Sequence, residues 1–262
     1  ARATVERSGD APSSSPASRG LITFDMGGTS SDVSLIRKGE IIRTTNSVIN
    51  GRPIRIPMID VNTIGAGGGS IARVDDGGAL RVGPRSAGAR PGPACYGNGG
   101  TEPTVTDANL LLGYIGTHSR LGGEIELDSD AAEETIRRLA KEAQLETVTA
   151  AARGIFAVAN SAMTRAIRSV TVQRGYDPRG YALAAFGGAG PMHAAALAEA
   201  LDLREIIIPR ACGVLSAFGL LAAEERCDEV RTVRSRLSEA DHESLERLLD
   251  DLGRSARKDI SD

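Results

Sequence analysis

Residues Leu21 to Arg37 read L-I-T-F-D-M-G-G-T-S-S-D-V-S-L-I-R, and they constrain the fold more than any other stretch. An apolar run ends in Asp25, passes through Gly27, Gly28 and Thr29, and resumes as an alternating segment around Asp32, Val33, Ser34 and Leu35. A two-residue period on both sides of paired glycines predicts strand, tight turn, strand. Glycine lets the main chain approach a ligand closely, and successive N–H groups in such a turn form an anion-binding nest, here beside the Thr29 hydroxyl. Phosphate is the natural guest. A carboxylate at the strand end, Asp25, suits an indirectly held Mg2+ or an attacking water next to those phosphates. The same letters also suit a plain hairpin whose glycines only meet the geometry of the turn, so a second motif has to decide.

Downstream, Lys38-Gly39 reads as a turn and Glu40 to Ser47 as a third strand, which makes the start an antiparallel meander. From Asn50 to Gly113 glycine and proline clusters dominate. They predict a loop-built insertion whose single short helix, in T-D-A-N-L-L-L-G, is capped by Thr106 or Asp107. Asp130 with Glu133 caps a helix to about Gln144. Between Thr149 and Arg174, Ile155, Val158, Ala159, Ala162, Met163, Ala166, Ile167 and Val170 recur at three- and four-residue spacing, which predicts a long core helix. Tyr181 to Phe186 is an apolar strand that runs into Gly187-Gly188-Ala189-Gly190-Pro191, with Pro191 opening a helix to Leu201. Arg204 to Pro209 follows as a buried strand, Val214 to Ala223 as a small-residue helix, Cys227 to Leu237 as a polar edge strand, and Glu239 to Lys258 as a charged amphipathic helix. The G-G-A-G-P turn is the second motif: strand, glycine turn and proline-started helix collect free N–H groups and a helix dipole at one point. Close packing of helix on strand is the alternative reading.

Two phosphate-friendly turns leave few classes open. There is no G-x-x-x-x-G-K-[ST], and Gly65-Ala66-Gly67 runs on as Gly68-Gly69-Ser70, so neither a P-loop nor a Rossmann fingerprint is present. Glycine is abundant, at 31 of 262 residues, and tryptophan is absent, which suits a turn-rich α/β chain. The net charge of −3 and the lack of a basic run with interleaved aromatics argue against a nucleic-acid partner. No apolar stretch has membrane-spanning length. Cys95, Cys212 and Cys227 form no C-x-x-C, so neither a disulfide framework nor a zinc site is expected and a cytoplasmic location fits. Residues 1–19 read as a disordered linker or cut end, 20–236 as one domain, and 237–262 as a helix leading into a further region.

The order of these motifs resembles one half of the actin-like ATPase fold. More narrowly, F-D-M-G-G-T-S-S-D-V-S-L-I, I-D-V-N-T-I-G-A-G-G-G-S-I-A, S-A-G-A-R-P-G-P-A-C-Y-G, T-V-T-D-A-N-L-L-L-G, F-G-G-A-G-P-M-H-A and G-V-L-S-A-F-G-L are similar to the hydantoinase/oxoprolinase A family. The resemblance runs from about Gly20 to Arg231. It implies an α/β ribonuclease-H-like half-domain with a long glycine-rich loop insertion at about 50–113. It also implies ATP and Mg2+ as cofactors, and activation of a cyclic-amide carbonyl by phosphorylation before hydrolysis. Ketone carboxylation is the alternative within the family, and a non-catalytic nucleotide-binding or assembly module is the alternative outside enzymes. Family members carry a first D-x-G-G-T in a preceding half-domain. This chain has one such motif, so the implied partners are that N-terminal half-domain and a B-type subunit.

On this reading Gly27, Gly28 and Thr29 hold phosphates, and Asp25 serves Mg2+ or water. Asp32 is a second carboxylate or simply an exposed strand residue. Gly187, Gly188 and Gly190 approach the nucleoside. Asp60, Asn62, Arg90 and Asp107 are the candidates for substrate contact, with turn formation, surface charge or, for Asp107, a helix cap as the other explanation. His193 reads as a neutral core or capping residue and Cys95 as a buried thiol.

Overall fold

The structure is a computed structural model and describes residues 20–45, 47–49, 51–116, 120–121, 123, 125–223, 227–234, 236 and 241–261. The expected linker at 1–19 lies outside the described residues.

β1 (Gly20–Met26) and β2 (Ser31–Arg37) alternate between buried and half-buried positions. Ile22, Phe24, Met26, Val33 and Leu35 enter the core, while Leu21, Thr23, Asp25, Asp32 and Ser34 line the opposite face, as the two-residue period of a strand demands. β3 (Glu40–Ile41) and β4 (Val61–Ile64) both pair with β2, β3 at its end and β4 along Ser31–Ser34. The third strand is therefore shorter than the sequence suggests. β4 occupies the length of β2 that a strand over 40–47 needs, and Arg43–Thr44 pair with Met58–Ile59 instead.

The segment over 50–113 holds more regular structure than its punctuation indicates. β5 (Ser70–Val74) and β6 (Leu80–Ser86) form a two-stranded sheet, and α1 (Val105–Leu111) follows. Its cap is Thr104, not Thr106, and it forms a capping box with Asp107. α2 (Ser129–Glu142) is likewise capped two residues early, by Asp128, whose carboxylate accepts from the Ala131 N–H at 2.9 Å. Asp130 lies inside its first turn.

α3 (Val148–Val170) buries Ala151, Ile155, Ala159, Met163, Ile167 and Val170, which pack with Ile22, Phe24, Met26, Val33 and Leu35 in one cluster. Each large aliphatic or aromatic side chain so buried contributes roughly 1.5–3 kcal/mol. Alanines at alternate turns let the helix approach the sheet closely.

β7 (Ala182–Phe186) runs parallel to β1, and α4 (Gly190–Leu201) packs back on both. β8 (Ile206–Ile207) pairs parallel to β7, giving the order β8-β7-β1-β2-β3. The expected buried strand over 204–209 is reduced to these two residues. Ile206 and Ile208 remain exposed, because no described element covers that edge. α5 (Leu215–Leu221) and α6 (His242–Ser261) complete the described helices. The expected edge strand over 227–237 is not formed by its described residues. Val230 and Val233 are exposed there, since alternation without a sheet to join gives neither side chain a face to pack on. No described helix is long and apolar enough to cross a membrane.

Candidate functional site

β1 and β7 end side by side, with Asp25 paired in register with Phe186. The two glycine turns therefore leave the sheet at the same place, and Asp25 sits between them. Its Oδ2 accepts a 2.6 Å hydrogen bond from the Ser216 hydroxyl of α5. Its Oδ1 lies where a side chain at residue 187 would stand: a Cβ on Gly187 would be 2.3 Å from Oδ1 and 2.4 Å from the Met26 carbonyl. Gly187 also has φ of +81°, in the region that only glycine enters readily. It is glycine both for its backbone and to admit the carboxylate. The Gly187 N–H donates to the Cys212 carbonyl at 2.8 Å and the Ala189 N–H to the Met26 carbonyl at 2.9 Å, fastening the second turn to β1.

A clasp made of residues 65–69 orients the first turn. The N–H of Gly68 donates to the Gly27 carbonyl at 2.9 Å and that of Gly69 to the Gly28 carbonyl at 2.6 Å. In a trans peptide the N–H points opposite to the C=O. With both carbonyls turned to the clasp, the N–H groups of Gly28 and Thr29 point away from it. Neither has an acceptor among the described residues, whereas the Gly27 N–H is used on the Ser30 carbonyl. Gly28 and Thr29 are exposed. A Cβ on Gly28 would meet nothing within 4 Å, and one on Gly27 only a carbonyl at 4.0 Å. The fold gives no steric reason for glycine at Gly28. It leaves a cradle with two parallel donors and the Thr29 hydroxyl, whose Oγ1 lies 3.4 Å from Ser86 Oγ. That donor set suits phosphate oxygens, and the adjacent Asp25 suits a hydrated Mg2+.

The clasp glycines tell the reverse story. A Cβ on Gly67 would lie 2.6 Å from the Thr29 carbonyl carbon, one on Gly68 2.8 Å from Thr106 Oγ1, and one on Gly69 2.9 Å from the Gly28 carbonyl. Thr106 secures the clasp from α1, its N–H and hydroxyl both donating to the Gly68 carbonyl at 2.7 and 2.8 Å. Ser31 reaches the Ala66 carbonyl at 2.5 Å.

Asp32 is the register partner of Asp25 on the same face of the sheet. Its Oδ1 accepts from the Thr63 hydroxyl at 2.5 Å. Gly188 repeats the signature of Gly28, with open space at its Cβ position. A Cβ on Gly190 would meet Phe24 and Met26 backbone atoms at 3.5 and 3.6 Å, an ordinary van der Waals contact of α4 on β1.

The four residues proposed for substrate contact are not brought together. Arg174 reaches both oxygens of Asp60, one at 2.8 Å. Asn62 faces α3, donating to Ser169 Oγ at 2.7 Å and the Ala166 carbonyl at 3.3 Å, on the sheet face away from Asp32. Asp107 is fully buried and accepts from Thr104 Oγ1 and from the N–H groups of Thr104 and Cys95 at 2.7–2.9 Å. Arg90 alone is exposed, on the loop that follows Ser86.

Burial, and next the Asp107 carboxylate, push the Cys95 thiol up, so it stays protonated. His193 is fully buried, stacked on Phe156 at 4.8 Å, with Nδ1 at 3.1 Å from Asn160 Oδ1 and Nε2 at 3.1 Å from Asn109 Nδ2. An amide oxygen only accepts and an amide NH2 only donates, so Nδ1 carries the proton and the ring is neutral. Desolvation lowers its pKa to about 4.

Ser216, Ser86 and the clasp are the site components that sequence reasoning did not single out. All three lie within the segments that carry the family resemblance, and each earns its place through contact with a distant residue that spacing does not reveal.

Comparison with known proteins finds relatives that match most of the chain. The hydantoinase/oxoprolinase family model matches residues 3–229. The caprolactamase subunit alpha of Pseudomonas jessenii is 46% identical over 244 residues, covering 92% of this chain and 35% of that protein. The crystal structure of the ATP-dependent caprolactamase from the same organism superposes with a TM-score of 0.75 at 45% identity, covering 93% of this chain and 36% of that one. A nucleotide-free acetone carboxylase structure gives a TM-score of 0.78 at 28% identity over the same shares of each chain. The chain thus spans about a third of the length of these relatives.

Proposed function

The chain belongs to the hydantoinase/oxoprolinase family, and on that premise we propose that it forms the phosphate-holding wall of an ATP-dependent enzyme that opens cyclic amides. The observation that carries this reading is the pair of outward N–H groups at Gly28 and Thr29, fixed by the clasp and set beside Asp25. The strand order β3-β2-β1-β7-β8 supports the narrower description, a ribonuclease-H-like half-domain of the actin-like kind over about residues 20–236.

ATP supplies the phosphoryl group that turns a resonance-stabilised amide carbonyl oxygen into a leaving group. The amides of Gly28 and Thr29 and the Thr29 hydroxyl hold the β- and γ-phosphates. Because the two amides lack partners among the described residues and are already oriented, they need no reorganisation to do so. Asp25 holds hydrated Mg2+ or orients the attacking water, and Asp32 adds a second carboxylate beside it. Gly188 keeps the backbone open to the nucleoside. Arg90 is the substrate candidate whose side chain is free to reach out of the molecule.

A facing wall comes from an N-terminal half-domain, and a B-type subunit completes the assembly in the cytoplasm. The apolar side chains of Val214, Phe218, Leu220 and Leu221, exposed on and just before the helix that carries Ser216, support such a cover. Ketone carboxylation is the second reading, favoured by the acetone carboxylase likeness. The test is ATP hydrolysis by this chain together with the polypeptide that completes it. Lactams, hydantoins or 5-oxoproline should stimulate turnover, and EDTA should abolish it. Stimulation only by a ketone with bicarbonate selects the second reading. No stimulation by either, with Asp25→Ala leaving basal turnover unchanged, contradicts an enzyme and leaves an assembly module.

A further inference from the structure

The segment G-V-L-S-A-F-G-L has no role in the reading above beyond its exposed apolar side chains, yet it touches the site at two points. The Cys212 carbonyl, just before it, accepts from the Gly187 N–H at 2.8 Å. Ser216, in the first turn of α5, donates to Asp25 Oδ2 at 2.6 Å across 191 residues of sequence. Among the described residues little else holds the helix between these anchors, for Phe218, Leu220 and Leu221 are 62%, 78% and 88% exposed. An isolated small-residue helix gains nothing from propensity alone at this length. What α5 binds to in this chain is therefore the site itself.

We propose that Ser216 is a positioning residue for Asp25, and that α5 makes the geometry of Asp25 depend on its own docking. The inference rests on the role given to Asp25 above. An aspartate at a strand end has two rotatable angles, and Gly187, being without a side chain, limits Oδ1 only by leaving room for it. The Ser216 hydroxyl is the one hydrogen-bond donor that the described residues offer to the carboxylate. It selects a single rotamer of the carboxylate, whose Oδ2 accepts the bond. Removing it leaves Asp25 chemically intact but free to turn, and misplacement of a catalytic group by an ångström is costly to turnover while leaving phosphate binding at Gly28 and Thr29 in place.

The test uses the assembly that turns over ATP, with Ser216→Ala, Ser216→Thr, Asp25→Asn and the double variant, together with three-bond couplings that report the Asp25 side-chain rotamer. Ser216→Ala should lower kcat about 10- to 100-fold, as expected for loss of a hydrogen bond to a charged group, with KM for ATP within about threefold. The threonine variant should recover most of the loss, and the alanine change should cost nothing further in the Asp25→Asn background. Asp25 couplings should pass from one rotamer to an average. Ser216 is exposed, so melting temperature should stay put. Wild-type turnover by Ser216→Ala with a single Asp25 rotamer overturns the inference and leaves the proposed function standing. Wild-type turnover by Asp25→Asn overturns the role of Asp25 itself.

Discussion

His193 shows how a single buried side chain ties the site to the pH at which the protein is stable. It is neutral in the fold, with its pKa lowered to about 4 from the ordinary 6.5. Between those values the unfolded chain binds a proton that the folded chain refuses, so stability is fully present above pH 6.5 and falls as pH drops toward 4. The linkage amounts to roughly 3 kcal/mol at most. Urea titrations should show this loss between pH 6.5 and 4, and a His193→Gln variant should show a shallower slope over the same window. An unchanged slope in the variant would assign the acid sensitivity to other groups. Asp107 is the structural counterpart. Its carboxylate collects donors from Thr104 and Cys95 in a fully buried position. Asp107→Ala should therefore cost about 3 kcal/mol or more, because the orphaned N–H groups stay buried. A shift in urea midpoint below a third of that would show that the loop relaxes around the loss.

At the level of elements, the helices were the most legible part of the sequence. The 3.6-residue period of α3 predicted its burial, and Asp and Thr near the starts of α1 and α2 announced caps, displaced by two or three residues. Strands at the sheet margin were not legible, because their length depends on which neighbour occupies the edge. β4 takes the edge of β2 that a longer third strand needs, and no alternation in 40–47 encodes that competition. The clasp was legible as glycine and illegible as structure. G-A-G-G-G reads as punctuation, whereas Gly67 and Gly69 are required by close approach to Gly28 and Thr29, Gly68 by approach to Thr106 and Gly65 by approach to Pro84. Gly67→Ala should accordingly push the clasp off the turn, cost about 1–3 kcal/mol in stability as an overpacked site, and weaken nucleotide binding at the same time. A variant that binds nucleotide normally at reduced stability would separate clasp from site.

The described residues present one sealed face of the sheet and one that is less covered. Helices α3 and α4 seal the core side of the sheet, while Thr23, Asp25, Asp32 and Ser34 remain half-buried on the other. The sequence disclosed the family and the two turns, since both are local patterns. It did not disclose Ser216 on Asp25 or the opening of Gly187 to that carboxylate, since both join residues more than 150 positions apart. The central claim is that the Gly28–Thr29 amides hold nucleotide phosphates, and Gly28 offers a clean test because a Cβ there would meet no described atom within 4 Å. The decisive measurement is the calorimetric Kd of a Mg-bound, non-hydrolysable ATP analogue for the completed protein and its Gly28→Val variant, each with a melting curve. A side chain placed in the cradle should weaken binding about tenfold or more, the loss of roughly one charge-assisted hydrogen bond, with the melting temperature unchanged. Equal affinity in the two proteins would contradict the assignment and move the phosphates elsewhere.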